Sequence, residues 1–222
     1  MTTGERTPGA PVTLHLVRHG LAAGAEGRCV GWADLTLASA GREQTERLAA
    51  RWPAPHPARL VSSDLRRARE TAALLAGVWG LADPVPSDPR LREMHFGRWE
   101  GHTWAELEQA DGPALAAWMA DWQESRAPEG EGFGDVVARA RAWLEDTVAA
   151  ARRDAVADLV AVAHAGSIRA LLVHALGLPR ALAFRVRLDH ARVTALRIPA
   201  GPPDRACAGA ELLFSNADRP PG

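Results

Sequence analysis

Lysine is missing from this 222-residue chain, so all 26 of its basic residues are arginine. Beside the heavy alanine and glycine content this reads as a coding bias, and the number of arginines does not by itself mark ligand sites. Cysteine is nearly absent. Cys29 and Cys207 are the two present, too few for a disulfide framework and without a CxxC pair for metal or redox chemistry. No apolar run approaches the roughly 18 residues of a membrane span. The first residues lack the apolar stretch of a signal peptide, so a cytoplasmic location without membrane attachment is expected. A net charge of −1 provides no field to attract nucleic acid.

Hydrophobic content of 47% and charged content of 24% are ordinary for a globular protein, and the length suits one domain. Residues 1–10 and 217–222 are polar and rich in Pro or Gly, so both are expected to fray, leaving a single domain over 11–216. Short β-type runs are expected at 12–17, 59–62, 159–163, 184–188, 193–198 and 211–214. Helical spacing covers 39–52, 64–79 (with Ser63 as N-cap), 104–122, 136–151 and 167–176. Strands alternating with helices predict a three-layer α/β/α sandwich with a mostly parallel central sheet. Ligands bind beyond the carboxyl ends of such strands, and His19 and His164 both stand there.

A phosphate ester needs fixed cations, a nucleophile and a group to protonate the departing oxygen. Arginine offers a planar fork of donors, and a neutral imidazole is a competent nucleophile near neutrality. The segment Leu16-Val17-Arg18-His19-Gly20 places both types side by side. It resembles the signature of the histidine phosphatase superfamily, which includes the cofactor-dependent phosphoglycerate mutases. Further matches follow in order: Gly27-Arg28 with Gly31, Asp34, Leu35, Leu37 and Gly41; Ser62-Ser63-Asp64-Leu65-Arg66-Arg67-Ala68; Leu91-Arg92-Glu93-Met94-His95-Phe96-Gly97 with Trp99-Glu100-Gly101; and Ala163-His164-Ala165-Gly166 with Ile168-Arg169-Ala170-Leu171.

The resemblance implies His19 as nucleophile, Glu93 as general acid and then base, and Arg18, Arg67 and His164 as holders of the transferred phosphoryl group. Ala165 and Gly31 are implied as further contacts to it. It implies a small phosphomonoester substrate, a monomer or homodimer, and no cofactor; no metal-ligand spacing is present either. Only Arg67 of the arginines at 66, 67 and 69 fits the motif. His15 is expected to be structural and His95 and His102 peripheral, while His56, His174 and His190 belong to no constellation. Trp32, Trp99 and Trp104 are expected near the site mouth.

Many members of the family carry polar residues after Arg-His-Gly, where this chain has Leu21, Ala22 and Ala25. The thinner polar shell favours hydrolysis over a mutase reaction, which must hold phosphate at two ends of its substrate. A mutase remains the alternative, and a phosphate-ester binding module with little turnover is a third reading. Two segments, 28–37 and 96–104, are similar to α-ribazole phosphatases of cobalamin assembly and in part to broad-specificity phosphatases. A helical insert at about 98–152 is expected to act as a lid that selects the leaving group.

Overall fold

The computed structural model describes residues 10–201 and 209–221. Cys207 and residues 1–9 lie outside them, as does Gly222. Five strands, β1 (Val12–Arg18), β2 (Arg59–Ser62), β3 (Asp158–Ala163), β4 (Val193–Ile198) and β5 (Glu211–Ala217), form one sheet in the order β2-β3-β1-β4-β5. β2, β3 and β1 are parallel neighbours, whereas β4 pairs antiparallel with both β1 and β5. β4 alone therefore runs against the other strands, and the sheet is mostly parallel as expected.

Side chains alternate across a strand, and here both faces find cover. Val17, Leu60, Val160, Val162 and Val193 point to one layer with Leu48, Ala72, Leu75 and Trp79 from α1 (Ser39–Arg51) and α2 (Arg66–Trp79). Leu14, Leu16, Leu159, Ala161 and Leu196 point to the other. There they meet Trp143, Leu144 and Val148 of α4 (Phe133–Arg153) and Ile168 and Leu171 of α5 (Ala165–Leu176). A sheet covered on both faces reads as nearly continuous apolar strands, which is how 159–163 reads. Gly177 closes α5 in the left-handed conformation that glycine adopts without strain.

Some expectations need correction. Residues 184–188 are not a strand: Arg180–Arg185 is a 3-10 turn, and Phe184 packs edge-on against Trp122. α2 starts at Arg66 with Leu65 at its cap, because Ser63 Oγ accepts from the Leu65 N–H and turns the chain before the helix begins. α3 (Trp104–Ala120) is bent at Asp111, two residues before Pro113. The insert at 98–152 is not all lid either. α4 buries Val136, Ala140, Trp143 and Val148 in the core, so it belongs to the body of the domain. At the far end Ala217 belongs to β5, Asp218 pairs with Arg51 at 2.5 Å and Pro220 is buried, so the chain is held beyond residue 217.

Candidate active site

Strand register brings the chemistry together. Arg18 of β1 stands opposite Ala163 of β3, so the next residues, His19 and His164, emerge side by side. The His19 N–H donates to the Ala163 carbonyl at 3.0 Å, and the two imidazole centroids lie 4.9 Å apart. β2 ends beside them: Ser62 stands opposite Val162, and the Ser63 N–H donates to the Val162 carbonyl at 2.8 Å. Arg67, the second residue of α2, thereby reaches the same point. Gly20 lets the chain turn away. A Cβ there would collide with the Gly41 carbonyl, so β1 and α1 can close together only with glycine.

Each side chain is pinned by its neighbours. His19 Nδ1 lies 2.7 Å from the Gly20 carbonyl, which can only accept. Nδ1 therefore carries the proton and Nε2 keeps its lone pair. Arg67 Nε–H donates to that lone pair at 3.2 Å. The rest of the Arg67 guanidinium donates to the carbonyls of Ala33 (2.8 Å) and Gly31 (2.7 Å). Gly31 thus acts through its carbonyl on Arg67. Arg18 Nη1 donates to the Leu188 carbonyl at 2.6 Å, while its buried Nε and both ring nitrogens of His164 have no partner among the described residues. Ala165 opens α5, where the first amides have no acceptor within the helix.

Burial, then Arg67 and Arg18, hold the His19 imidazole well below the usual histidine range. Burial, then Arg67 and His19, do the same to His164. Both rings are neutral at pH 7. A neutral His164 can still donate one ring N–H, and an incoming dianion would favour its protonation.

Glu93 lies across a cleft of about 250 Å³ that is also lined by Arg18, His19, Arg67 and His190. Its Oε2 accepts from the Gly166 N–H (3.1 Å) and its Oε1 from the Met94 N–H (2.8 Å). Leu21, Ala22 and Ala25 form an apolar stretch of the cleft wall, at the positions where the sequence reading noted missing polar groups. The sequence-derived set His19, Glu93, Arg18 and Arg67 shares this cleft, with His164 against His19.

Sequence reasoning missed three residues. His190 approaches His19 to 5.4 Å between ring centroids. Its place is fixed because the Ala191 N–H donates to the carbonyls of both Arg18 (3.0 Å) and His19 (3.3 Å). Arg139, midway along α4, donates to the carbonyls of Arg90, Arg92 and Glu93 and pairs with Glu131. Glu100 accepts from the amides of Trp32, Ala33 and Phe96 and so holds the loop that orients Arg67. The segment Trp99-Glu100-Gly101 was visible as a motif, but nothing local in the sequence marks His190 or Arg139.

Of the three tryptophans expected at the site mouth, Trp32 donates its Nε1–H to the Glu93 carbonyl at 2.7 Å. Trp99 is core, buried with Nε1 on Asp111, and Trp104 is partly exposed outside the cleft lining. His15 packs edge-on to Trp52, and His95 sits against Trp32, as structural and peripheral residues respectively. Among the described residues no helix is long and apolar enough to cross a membrane.

Comparison with known proteins follows the same lines. The family model described as histidine phosphatase superfamily (branch 1) matches residues 14–205. A glucosyl-3-phosphoglycerate phosphatase of Mycolicibacterium vanbaalenii is 39% identical over 176 residues, covering 75% of this chain and 75% of its own. The adenosylcobalamin/alpha-ribazole phosphatase of Salmonella typhimurium is 32% identical over 192 residues, 85% of this chain and 91% of its own. The solved structure of a mycobacterial glucosyl-3-phosphoglycerate phosphatase superposes with a TM-score of 0.80 at 32% identity, covering 93% of this chain and 99% of that one.

Proposed function

The chain belongs to the histidine phosphatase superfamily, branch 1, and from that premise we propose that it hydrolyses small phosphomonoesters through a phosphohistidine formed on His19. It is a phosphatase, as its named relatives are. The observation that carries the mechanism is the hydrogen bond from His19 Nδ1 to its own Gly20 carbonyl. That bond fixes the tautomer and leaves Nε2 as the nucleophile. Nε2 attacks phosphorus as the ester P–O bond breaks. Arg18, Arg67 and His164 take up the charge on the equatorial oxygens, and Glu93 delivers a proton to the departing oxygen. Glu93 then removes a proton from water, which attacks phosphorus, breaks the P–N bond and releases inorganic phosphate.

The cations for this reaction are supplied by arginine, so it is proposed to run without a metal, and activity should survive EDTA. The apolar wall of Leu21, Ala22 and Ala25, at positions where many family members carry polar residues, supports hydrolysis over a mutase reaction. The two substrates in the relatives' names, glucosyl-3-phosphoglycerate and α-ribazole phosphate, are the first to assay. Residues 98–132 are proposed to help choose the leaving group, since Arg28 on the cleft rim donates to the Gly101 carbonyl at 2.8 Å.

The test is rapid acid-free quench with a phosphorus-labelled ester. Label should appear on the protein, survive alkali, vanish in acid and be absent from His19→Ala. Undiminished turnover in His19→Ala would sink the mechanism.

A further inference from the structure

A second cavity of about 550 Å³ adjoins the catalytic cleft. The two share Arg18 and His190 in their linings, so they meet at those two side chains. The second cavity is lined by four arginines, Arg18, Arg47, Arg51 and Arg192, against two aspartates, Asp189 and Asp218. The aspartates are already engaged. Asp218 lies 2.5 Å from Arg51, and Asp189 is held by Arg187 and by the Asn216 amide. Among the described residues Arg47 has only a 3.6 Å contact with Glu43 on its own helix, and Arg192 stands 3.9 Å from Asp218.

Two polar groups add donors rather than charge. Gln44 accepts the Leu21 N–H with its carbonyl oxygen, which leaves its NH2 end to donate into this lining. Burial, then Arg18, lower the His190 pKa to about 4, so its ring is neutral. The buried Arg18 Nε has no partner among the described residues.

Excess arginine over acid, with donors uncommitted, is the chemistry that recognises a carboxylate or a phosphate. An ester whose phosphoryl group sits at His19 has this lining beside it, past His190. We propose that the arginine-lined cavity binds a second anionic group carried by the leaving group of the substrate. This rests on the phosphatase reading above. It narrows the substrate class to phosphomonoesters that bear a carboxylate or a further phosphate, and it makes Arg47 and Arg192 specificity residues that take no part in the chemistry at His19.

The test compares pairs of esters that differ in that one group: glycerol 3-phosphate against 3-phosphoglycerate, and fructose 6-phosphate against fructose 1,6-bisphosphate. Wild type, Arg47→Glu and Arg192→Glu are assayed on all four. Each substitution should lower kcat/KM by about tenfold or more for a doubly anionic ester, mainly through KM. Activity on the neutral-ended partner should stay within about twofold, which also shows that the variant is folded. A loss confined to 3-phosphoglycerate identifies a carboxylate, and one confined to the bisphosphate identifies a phosphate. Equal changes within each pair, or none, would overturn the proposal while leaving the phosphatase reading intact. Wild-type turnover of the singly anionic esters but of neither doubly anionic one would also overturn the proposal, while the phosphatase reading is tested separately by the label on His19.

Discussion

The backbone N–H of Gly166 donates to Glu93 Oε2 at 3.1 Å, tying the acid to the helix that begins beside His164. A Cβ on residue 166 would collide with the Glu93 carboxylate. That carboxylate is the end of a flexible side chain, so it would yield and the backbone would stay. Gly166→Ala is expected to keep its Tm within a few degrees and lose roughly 10²-fold in kcat. Glu93→Gln should lose about 10²- to 10⁴-fold on alkyl phosphates, and far less on p-nitrophenyl phosphate, whose leaving group needs no proton. Equal losses on the two substrates in Glu93→Gln would remove Glu93 from the acid role.

Arg139 holds the acid loop from behind. Its guanidinium spans three carbonyls and the largely buried Glu131 carboxylate. Arg139→Ala strands these acceptors and leaves Glu131 without its partner, a loss of about 3 kcal/mol. For a chain of this size that corresponds to a fall in Tm of roughly 6–12 °C, measurable by calorimetry. kcat should fall with it, because Glu93 loses its backbone anchor.

Glu100 acts on Arg67 at one remove. Replacing it by Gln weakens its grip on the amides of Trp32 and Ala33, the loop whose carbonyls orient the guanidinium. Glu100→Gln should weaken inhibition by vanadate and by inorganic phosphate by about tenfold. Glu100→Asp, which keeps the charge, should recover part of that. Unchanged inhibition constants would show that Arg67 keeps its orientation without this carboxylate.

Several histidines are neutral in the folded protein below the usual pH. Burial lowers His15, His19, His164 and His190, the last to about 4. The unfolded chain takes up protons near pH 6.5 and the folded one does not, so between those values the unfolded state binds more protons. Their contribution to stability is complete above pH 6.5 and is lost as pH falls toward 4. Tm should therefore decline steadily over that interval, and His190→Asn should flatten part of the decline. Burial, then Arg67 and Arg18, hold His19, the proposed nucleophile, well below the usual histidine range, so kcat/KM should show no acid limb at pH 6.5 attributable to it.

Much of this architecture is readable from residue order because it rests on local signals. The apolar runs at 12–17 and 159–163 end at histidines, and strand ends are where parallel sheets bind ligands. Arg67 and Glu93 were readable through motif context. His190 was not, since it reaches the cleft from the loop before β4 and only the antiparallel pairing of β4 with β1 brings it there. Arg139 looks like a solvated helix arginine until the 3-10 turn at Pro89–Leu91 lays its carbonyls beside α4. The false strand at 184–188 arose from alternating apolar residues. Phe184 and Val186 instead serve as partners for Arg169, one under its guanidinium and the other through a carbonyl.

The pairing of Arg18 with Ala163 settles where the two histidines meet, and it does so through the backbone of two largely buried strands. Within the segment at 98–132, the stretch between Glu100 and Glu131 can be lengthened, shortened or exchanged without moving either imidazole, provided that α4 still packs and those two carboxylates keep the Arg67 loop and the acid loop in place. Reaction type and substrate choice are thus encoded in separable parts. Grafting another phosphatase's stretch between Glu100 and Glu131, with both carboxylates retained, should shift the preference for leaving groups beyond what Arg47 and Arg192 select, while leaving the proposed phosphoenzyme chemistry intact.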